Sequence, residues 1–160
     1  MIRILAYRFS AFGDVAMTVP VITEFLEQNP GVEIVMVSRS NFKELFHGIP
    51  NLIFKGINID DYNGIIGINK LSKQLKNEFK PDYIADLHDV IRTKLLNVFF
   101  KLNGQKVFVL DKGKEEKKKL TDIQNLEKNP LKRTTERYAD VFRAMGFTVN
   151  LSHQYSSVSS

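Results

Sequence analysis

The chain has 160 residues, of which 43% are hydrophobic and 26% are charged, with a formal net charge of +5 and no cysteine. This composition predicts one globular domain with a full hydrophobic core, and it excludes disulfides, thiol chemistry and cysteine-ligated metals. No apolar run approaches the roughly 20 residues that span a bilayer, and the apolar start is too short for a signal peptide, so we expect a cytoplasmic protein.

Strand and helix signals alternate along the chain. Short apolar or β-rich runs predict five strands, at residues 2–7, 33–38, 52–55, 82–86 and 106–110. Apolar residues at helical spacing predict intervening helices, at residues 15–26, 41–46, 71–80, 91–102 and 138–145. This alternation predicts an α/β fold, a Rossmann-like parallel sheet with helices on both faces.

The ends of the helices carry recognisable signals. Pro20 lies inside the first helical pattern, so either Thr18 caps a helix that begins there or the helix kinks at the proline. Asn41 and Glu44 have the spacing of a capping box. Residues 56–67 are rich in Gly, Asn and Asp and predict a loop. Gly104 and Gly146 follow the last apolar residues of two helices and predict their C-terminal caps.

Several common active-site motifs are absent from the sequence. It contains no G-x-G-x-x-G after the first strand and no phosphate-binding G-x-x-x-x-G-K-S/T loop. The three histidines are scattered without metal-ligand spacing, and no serine lies in a G-x-S-x-G turn. We therefore disfavour a dehydrogenase, a P-loop enzyme, a zinc enzyme and an α/β-hydrolase.

The turn after the first strand, residues 7–15, is the first candidate site. Ligands of open α/β folds bind at the carboxyl ends of the strands, where this turn places Gly13 and Asp14 behind Arg8 and Ser10. One interpretation of Asp14 is a carboxylate that complements the N-terminal dipole of a helix. The other is a general base that accepts a proton from a substrate hydroxyl.

A second group of polar residues follows the fourth strand, in the segment Asp86 to Thr93. Arg92 could reach back to an anionic ligand at the same edge of the sheet, or it could pair with Asp89 three residues earlier on the helix surface. The sequence leaves both interpretations open.

The positive charge is concentrated in the last part of the chain. Residues 1–100 carry 11 basic and 11 acidic side chains, so the whole excess lies in residues 101–160, which include the lysine-rich run from Lys112 to Lys119. Such a segment indicates an anionic partner or a solvated surface. The run contains no aromatic residues, which argues against single-stranded nucleic acid.

Three segments together resemble glycosyltransferase family 9, the lipopolysaccharide heptosyltransferases. Residues 4–15 and the following Thr18-Val19-Pro20 are similar to the family's N-terminal I-L-x-x-K/R-x-S-x-x-G-D pattern and its T-x-P. Residues 86–93 are similar to its D-L-Q/H-x-x-x-R-S/T segment, and residues 135–146 to its E-R-Y/F helix ending in glycine. The three motifs occur in the family's order.

The resemblance implies the N-terminal, acceptor-binding half of a GT-B enzyme, which joins two Rossmann-like domains around its active site. It implies that Asp14 is the general base and that Arg8, Ser10, Ala11 and Gly13 line the acceptor site. Ala11 stands where many members have Ser or Thr, so Ser10 alone supplies a hydroxyl there. Arg92 and Arg137 are further substrate-binding candidates from the other two motifs.

The implied reaction transfers heptose or a related sugar, with inversion, from an ADP-activated donor to an anionic lipopolysaccharide core. The resemblance implies no metal and no tightly bound cofactor, since ADP-heptose is a substrate. The binding site for ADP-heptose would lie in a C-terminal domain outside this chain. The chain alone would therefore be inactive.

We expect residues 1–149 to form the acceptor domain and residues 150–160 a linker or frayed end. The expected partners are an anionic glycolipid and the inner face of the inner membrane. The alternative is a non-catalytic module that binds anionic glycans or membranes, and a nucleic-acid binder is weaker still.

Overall fold

The computed structural model describes residues 1–113 and 133–153. It contains one parallel sheet of five strands in the order β3-β2-β1-β4-β5. The strands are β1 (Ile2–Tyr7), β2 (Val32–Arg39), β3 (Leu52–Ile57), β4 (Tyr83–Asp86) and β5 (Lys106–Val109). All five predicted strands are present; β1 has the predicted bounds, and the ends of the others differ by at most two residues.

The strands are connected through helices that run back across the sheet. The four α-helices are α1 (Phe12–Gln28), α2 (Gly64–Phe79), α3 (Ile91–Leu102) and α4 (Thr134–Ala144). Two short 3-10 helices, Ser40–Phe46 and Ile59–Asp61, follow β2 and β3.

Helices cover both faces of the sheet because β1 alternates its buried side chains between them. Ile4 and Ala6 belong to the apolar cluster that includes α1 and α4, where the Phe25 and Phe142 rings stack with centroids 4.5 Å apart. Leu5 belongs to the opposite cluster, under α2 and α3. The predicted fold class, a Rossmann-like parallel sheet with helices on both faces, is confirmed.

The strand order reverses between β1 and β4, which is where open α/β sheets commonly bind ligands. From β1 the chain moves outward through β2 and β3, then returns to the other side of β1 for β4 and β5. At such a reversal the loops after the two neighbouring strands diverge to opposite faces and leave a crevice at the carboxyl ends of the strands. The two sequence segments singled out above, after β1 and after β4, both open onto this crevice.

Some predicted helix boundaries were wrong. α1 begins at Phe12, earlier than the Thr18 cap requires, and the Thr18 hydroxyl donates instead to the Val15 carbonyl at 2.7 Å. Pro20 lies inside the continuous helix. The Asn41–Glu44 capping box does not form, since the 3-10 helix there has no side-chain cap.

The segment predicted as a loop, 56–67, is largely structured. β3 extends to Ile57, and α2 already begins at Gly64. The predicted glycine caps are confirmed, because Gly104 and Gly146 follow α3 and α4 with φ of 84° and 104°.

The described end of the chain lies against α1. Asn150 exchanges two hydrogen bonds of 2.8 Å with the Gln28 side chain, and the Ser152 N–H donates to Glu24 at 2.7 Å. Residues 154–160, part of the predicted linker, lie outside the described residues, as do residues 114–119 of the lysine-rich run.

Candidate active site at the carboxyl ends of β1 and β4

The Arg8 guanidinium joins the ends of the two central strands. Its Nε donates to the Ser10 carbonyl at 2.7 Å, and its Nη1 donates to the Leu87 carbonyl, just after β4, at 3.0 Å. Its Nη2 lies 3.2 Å from Oδ2 of Asp14. Only 11% of the Arg8 side chain is exposed, so this arginine is a fixed part of the crevice.

Asp14 lies in the first turn of α1, and 46% of its side chain is exposed. Its Oδ2 is paired with Arg8, while its Oδ1 has no hydrogen-bond partner among residues 1–113 and 133–153. The Asp14 carbonyl accepts a hydrogen bond of 3.1 Å from the Tyr138 hydroxyl on α4. One carboxylate oxygen is therefore held by the protein, and the other is available to a ligand.

Tyr138 is buried under this turn and stays protonated. Burial raises its pKa to about 12, with the Arg8 charge opposing the rise and the Asp14 charge adding to it. A phenol that keeps its hydrogen remains a donor to the Asp14 carbonyl across the physiological pH range.

The other predicted residues of this turn contribute backbone and space. Ser10 supplies the carbonyl that holds Arg8, and its peptide bond to Ala11 is cis. Ala11 is the exposed N-cap of α1, and its carbonyl accepts from the Val15 N–H at 2.9 Å. A Cβ atom at Gly13 would have nothing within 4 Å, so the surface in front of the turn is open.

The turn after β4 is organised by a fully buried carboxylate, Asp86. Its Oδ1 accepts hydrogen bonds from the backbone N–H groups of His88 and Asp89, each at 2.9 Å. Its Oδ2 accepts from the Asn97 amide at 2.7 Å, and Asn97 in turn accepts from the Tyr7 hydroxyl. Burial, and then the Asp86 charge, raise the pKa of Tyr7 well above its usual value, so Tyr7 stays a donor.

His88, which entered the sequence analysis only as a position in the D-L-Q/H segment, lies against Phe9 at this edge of the sheet. Only 7% of it is exposed, its Nδ1 lies 3.4 Å from the Phe9 N–H, and its ring is tilted 47° against the Phe9 ring. Burial lowers its pKa to about 4, and the charges of Arg8, Lys112 and Arg39 act in the same direction against the Asp14 charge. Its position at the end of a buried strand, within the D-L-Q/H segment, was the available signal.

This lowered pKa predicts a pH dependence of stability. Unfolded His88 titrates near 6.5 and folded His88 near 4, so the unfolded state binds the extra proton between these values. The contribution of His88 to the unfolding free energy is therefore complete above pH 6.5 and is lost as the pH falls through about 4. Urea unfolding at pH 7 and pH 5 should show a larger loss of stability in the wild type than in His88→Gln. Equal losses in the two proteins would contradict the buried, neutral ring.

Arg92 does not form the surface pair with Asp89 that was one of its two interpretations. Its Nη1 lies 3.3 Å from Oδ1 of Asp60, after β3, and Arg39 binds the other Asp60 oxygen, also at 3.3 Å. These two hydrogen bonds, from Arg39 and then Arg92, lower the pKa of Asp60. Asp89 pairs with Lys94 instead. The intrahelical interpretation was wrong, and Arg92 lies at the sheet edge, 41% exposed.

Arg137 lies at the same edge but is buried against backbone. Its Nη1 donates to the Asp111 carbonyl at 3.3 Å, and only 8% of the residue is exposed. A Cβ atom on Gly113 would overlap the Arg137 guanidinium. The structure thus packs Arg137 against the segment that follows β5.

Gly113 provides a test of this packing. Its φ of +69° and its contact with Arg137 both disfavour a side chain, so Gly113→Ala should lower the unfolding free energy by about 1–2 kcal/mol or more. The control is Gly31→Ala, where a Cβ atom would meet nothing within 4 Å. Urea unfolding should show a clearly smaller change for the control, and similar changes for both variants would contradict the contact.

The described part of the chain offers neither a metal-binding cluster nor a membrane-spanning helix. Within residues 1–113 and 133–153 no cluster of three or more His, Asp or Glu side chains could hold a metal ion. No helix in those same segments is long and apolar enough to cross a membrane.

Comparison with solved structures shows which proteins share this fold. A family 9 glycosyltransferase from Veillonella parvula superimposes with a TM-score of 0.65 at 19% identity, over 94% of this chain and 43% of that one. The E. coli heptosyltransferase WaaC with ADP gives 0.62 at 16% identity, over 93% and 48%. The E. coli ADP-heptose lipopolysaccharide heptosyltransferase II gives 0.57 at 17%, over 88% and 40%.

The chain therefore has the Rossmann-like fold found in GT-B glycosyltransferases, and it spans about half the length of these structures or less. No family model matches the sequence, and no curated protein matches it significantly.

Proposed function

We propose that this chain is the acceptor-side, N-terminal domain of an inverting glycosyltransferase of family 9, with Asp14 as its general base. The observation that carries the proposal is the Asp14 carboxylate at the β1–β4 crevice. It is half exposed, and Arg8 holds one of its oxygens at 3.2 Å while the other lacks a described partner. The fold shared with heptosyltransferase structures supports the same assignment.

The proposed reaction uses the free Oδ1 of Asp14. An acceptor hydroxyl in front of Gly13 gives its proton to this oxygen as its own oxygen attacks the anomeric carbon of the donor. The bond from that carbon to the diphosphate breaks, its electron pair leaves with ADP, and the anomeric configuration inverts. Proton transfer to a positioned base typically contributes about 10²–10⁴-fold in rate.

Arg8 serves this chemistry by positioning. Its three described contacts are all to protein atoms, and its side chain is 11% exposed. A fixed guanidinium keeps one carboxylate oxygen occupied, so that the proton goes to the other. We therefore assign Arg8 to orienting Asp14, with its charge also facing an anionic acceptor.

The anionic groups of the acceptor have more accessible partners. Arg39 and Arg92 are 32% and 41% exposed and share the single carboxylate of Asp60. Two cations around one anion leave a positive charge that a carboxylate or phosphate complements. We assign these arginines to the acid groups of a glycolipid acceptor, as the basic excess of residues 101–160 also suggests.

The finer parts of the proposal follow from the heptosyltransferase resemblance. The donor is an ADP-activated heptose or related sugar held by a second domain. The acceptor is a lipopolysaccharide core at the cytoplasmic face of the inner membrane, which the protein contacts peripherally, and nucleic acid is not a partner.

Acceptor binding by the 160-residue chain tests this proposal. The ¹⁵N-labelled chain is titrated with the methyl glycoside of 3-deoxy-octulosonic acid (Kdo), a sugar acid of the lipopolysaccharide core. Amide shifts confined to residues 8–14, 39 and 86–93 are the expected result. Shifts that avoid the β1–α1 turn would favour a glycan-binding module of another kind.

A further inference from the structure

The nearly buried side chain of His88, two residues after β4, has one ring nitrogen without a partner among the described residues. The His88 ring is 7% exposed and its Nδ1 accepts from the Phe9 N–H, yet its Nε2 has no hydrogen bond to residues 1–113 or 133–153. Buried polar atoms in folded proteins are nearly always hydrogen-bonded, so an unpaired one needs an explanation.

The described contacts determine what Nε2 can do. Since Nδ1 acts as an acceptor, the hydrogen of the neutral ring resides on Nε2, which is therefore a donor. The backbone of His88 is anchored independently, by the 2.9 Å hydrogen bond to the buried Asp86. Nδ1 and Nε2 lie on different sides of an imidazole, so Nε2–H points away from the Phe9 N–H.

The surroundings of the ring favour an oxygen ligand with negative charge. Arg8 donates to the carbonyl of Leu87, the residue before His88, and Arg39 donates to the Phe9 carbonyl at 3.1 Å. Lys112 donates at 2.9 Å to the carbonyl of Asp89, the residue after His88. Three cations and the Asp14 carboxylate are the charges that act on the ring. A donor among three cations is complementary to an anionic oxygen.

We propose that His88 is a substrate-contacting residue whose Nε2–H donates a hydrogen bond to a carboxylate or phosphate oxygen of the acceptor. This inference rests on the proposed function, because the acceptor occupies the same crevice. It adds a neutral donor beside the arginines, and this contact orients the acceptor relative to Asp14. The explanation for the unpaired nitrogen is then that its partner is the ligand.

The direct test observes the His88 ring resonances in ¹H–¹⁵N spectra of histidine-labelled protein at pH 7. The free chain should show the tautomer with hydrogen on Nε2. Saturation with the Kdo methyl glycoside should move the Nε2–H resonance, while the methyl ester of the same sugar, which lacks the charge, should move it less. Inorganic phosphate forms a separate arm, and a shift with phosphate alone would identify a phosphate group as the partner.

Substitutions give the second readout, on the complete gene product. His88→Leu removes the donor and should raise the KM for the acceptor about 10–100-fold, with the KM for the sugar nucleotide unchanged. His88→Gln keeps a neutral N–H donor and an acceptor and should restore the acceptor KM to within about threefold. Equal rises in both KM values, with no rescue by glutamine, would indicate a structural role only.

The outcomes separate this inference from the proposed function. If the sugar acid perturbs the β1–α1 turn but neither it nor phosphate moves the Nε2–H resonance, the His88 contact is wrong and the acceptor site stands. If neither probe binds in the crevice, both are overturned. A hydrogen on Nδ1, or a doubly protonated ring at pH 7, would also overturn the His88 contact.

Discussion

Asp14→Asn is expected to lower kcat for sugar transfer by about 10²–10⁴-fold in the complete gene product, because the amide cannot accept the proton of the acceptor hydroxyl. The KM values should change little, since the amide retains the shape of the carboxylate. Its oxygen can still accept from Arg8, whose other two contacts are to backbone carbonyls. Initial rates of ADP release at saturating substrates measure this effect.

A matched control is available on the same helix. Glu27 is an exposed carboxylate near the other end of α1, so Glu27→Gln removes the same charge far from the crevice. It should retain wild-type kcat. The two variants should also unfold within about 1 kcal/mol of the wild type, since a half-exposed ion pair contributes little. A kcat for Asp14→Asn within threefold of the wild type would show that Asp14 is not the base.

The largest effect on stability is expected from Asp86→Ala. This change leaves two buried donors without their acceptor, the His88 N–H and the Asn97 amide, and also the partly buried N–H of Asp89. Each buried unsatisfied donor costs about 1–3 kcal/mol, so the unfolding free energy should fall by at least about 2 kcal/mol. That is a large part of the 5–15 kcal/mol typical of a domain. Urea unfolding measures it, with Asp61→Ala at an exposed position as the control.

An exchange of side chains distinguishes lost hydrogen bonds from lost volume. In the wild type the Asn97 amide donates to Asp86. Asp86→Asn alone places a second N–H₂ donor opposite that amide. Adding Asn97→Asp restores an acceptor for the new amide and for the Tyr7 hydroxyl. The double variant should therefore be more stable than Asp86→Asn. If the second substitution gives no recovery, the hydrogen-bond network is not what holds this turn.

The elements were predictable because their signals are local. β1 has a β-rich run, α2 and α3 have apolar residues at helical spacing, and Gly104 and Gly146 mark helix ends. The start of α1 was missed because Ala11, which lacks a capping side chain, stands at the N-cap. The strand residues at the start of the 56–67 segment were missed because its Gly, Asn and Asp residues are typical of loops. Pairing with β2 extends β3 through Gly56 to Ile57.

The meeting of the β1 and β4 segments at one sheet edge was predictable, and the individual contacts there were less so. Strand ends in a parallel sheet meet at one edge, which brought the β1 and β4 segments together as expected. The pairing of Arg92 with Asp60 joins residues 32 positions apart and depends on how α3 packs beside the end of β3. The buried state of His88 likewise depends on Phe9, 79 positions away. Such contacts are set by tertiary packing, and local spacing does not encode them.

The most direct test of the central claim is the stereochemistry of the product. The complete gene product is incubated with ADP-heptose and a Kdo-containing lipid acceptor, and the new glycoside is analysed by NMR alongside the Asp14→Asn variant. We expect one ADP released per glycoside formed, an anomeric configuration opposite to that of the donor, and loss of both in the variant. A glycoside with retained configuration, or one formed equally well by the variant, would contradict it.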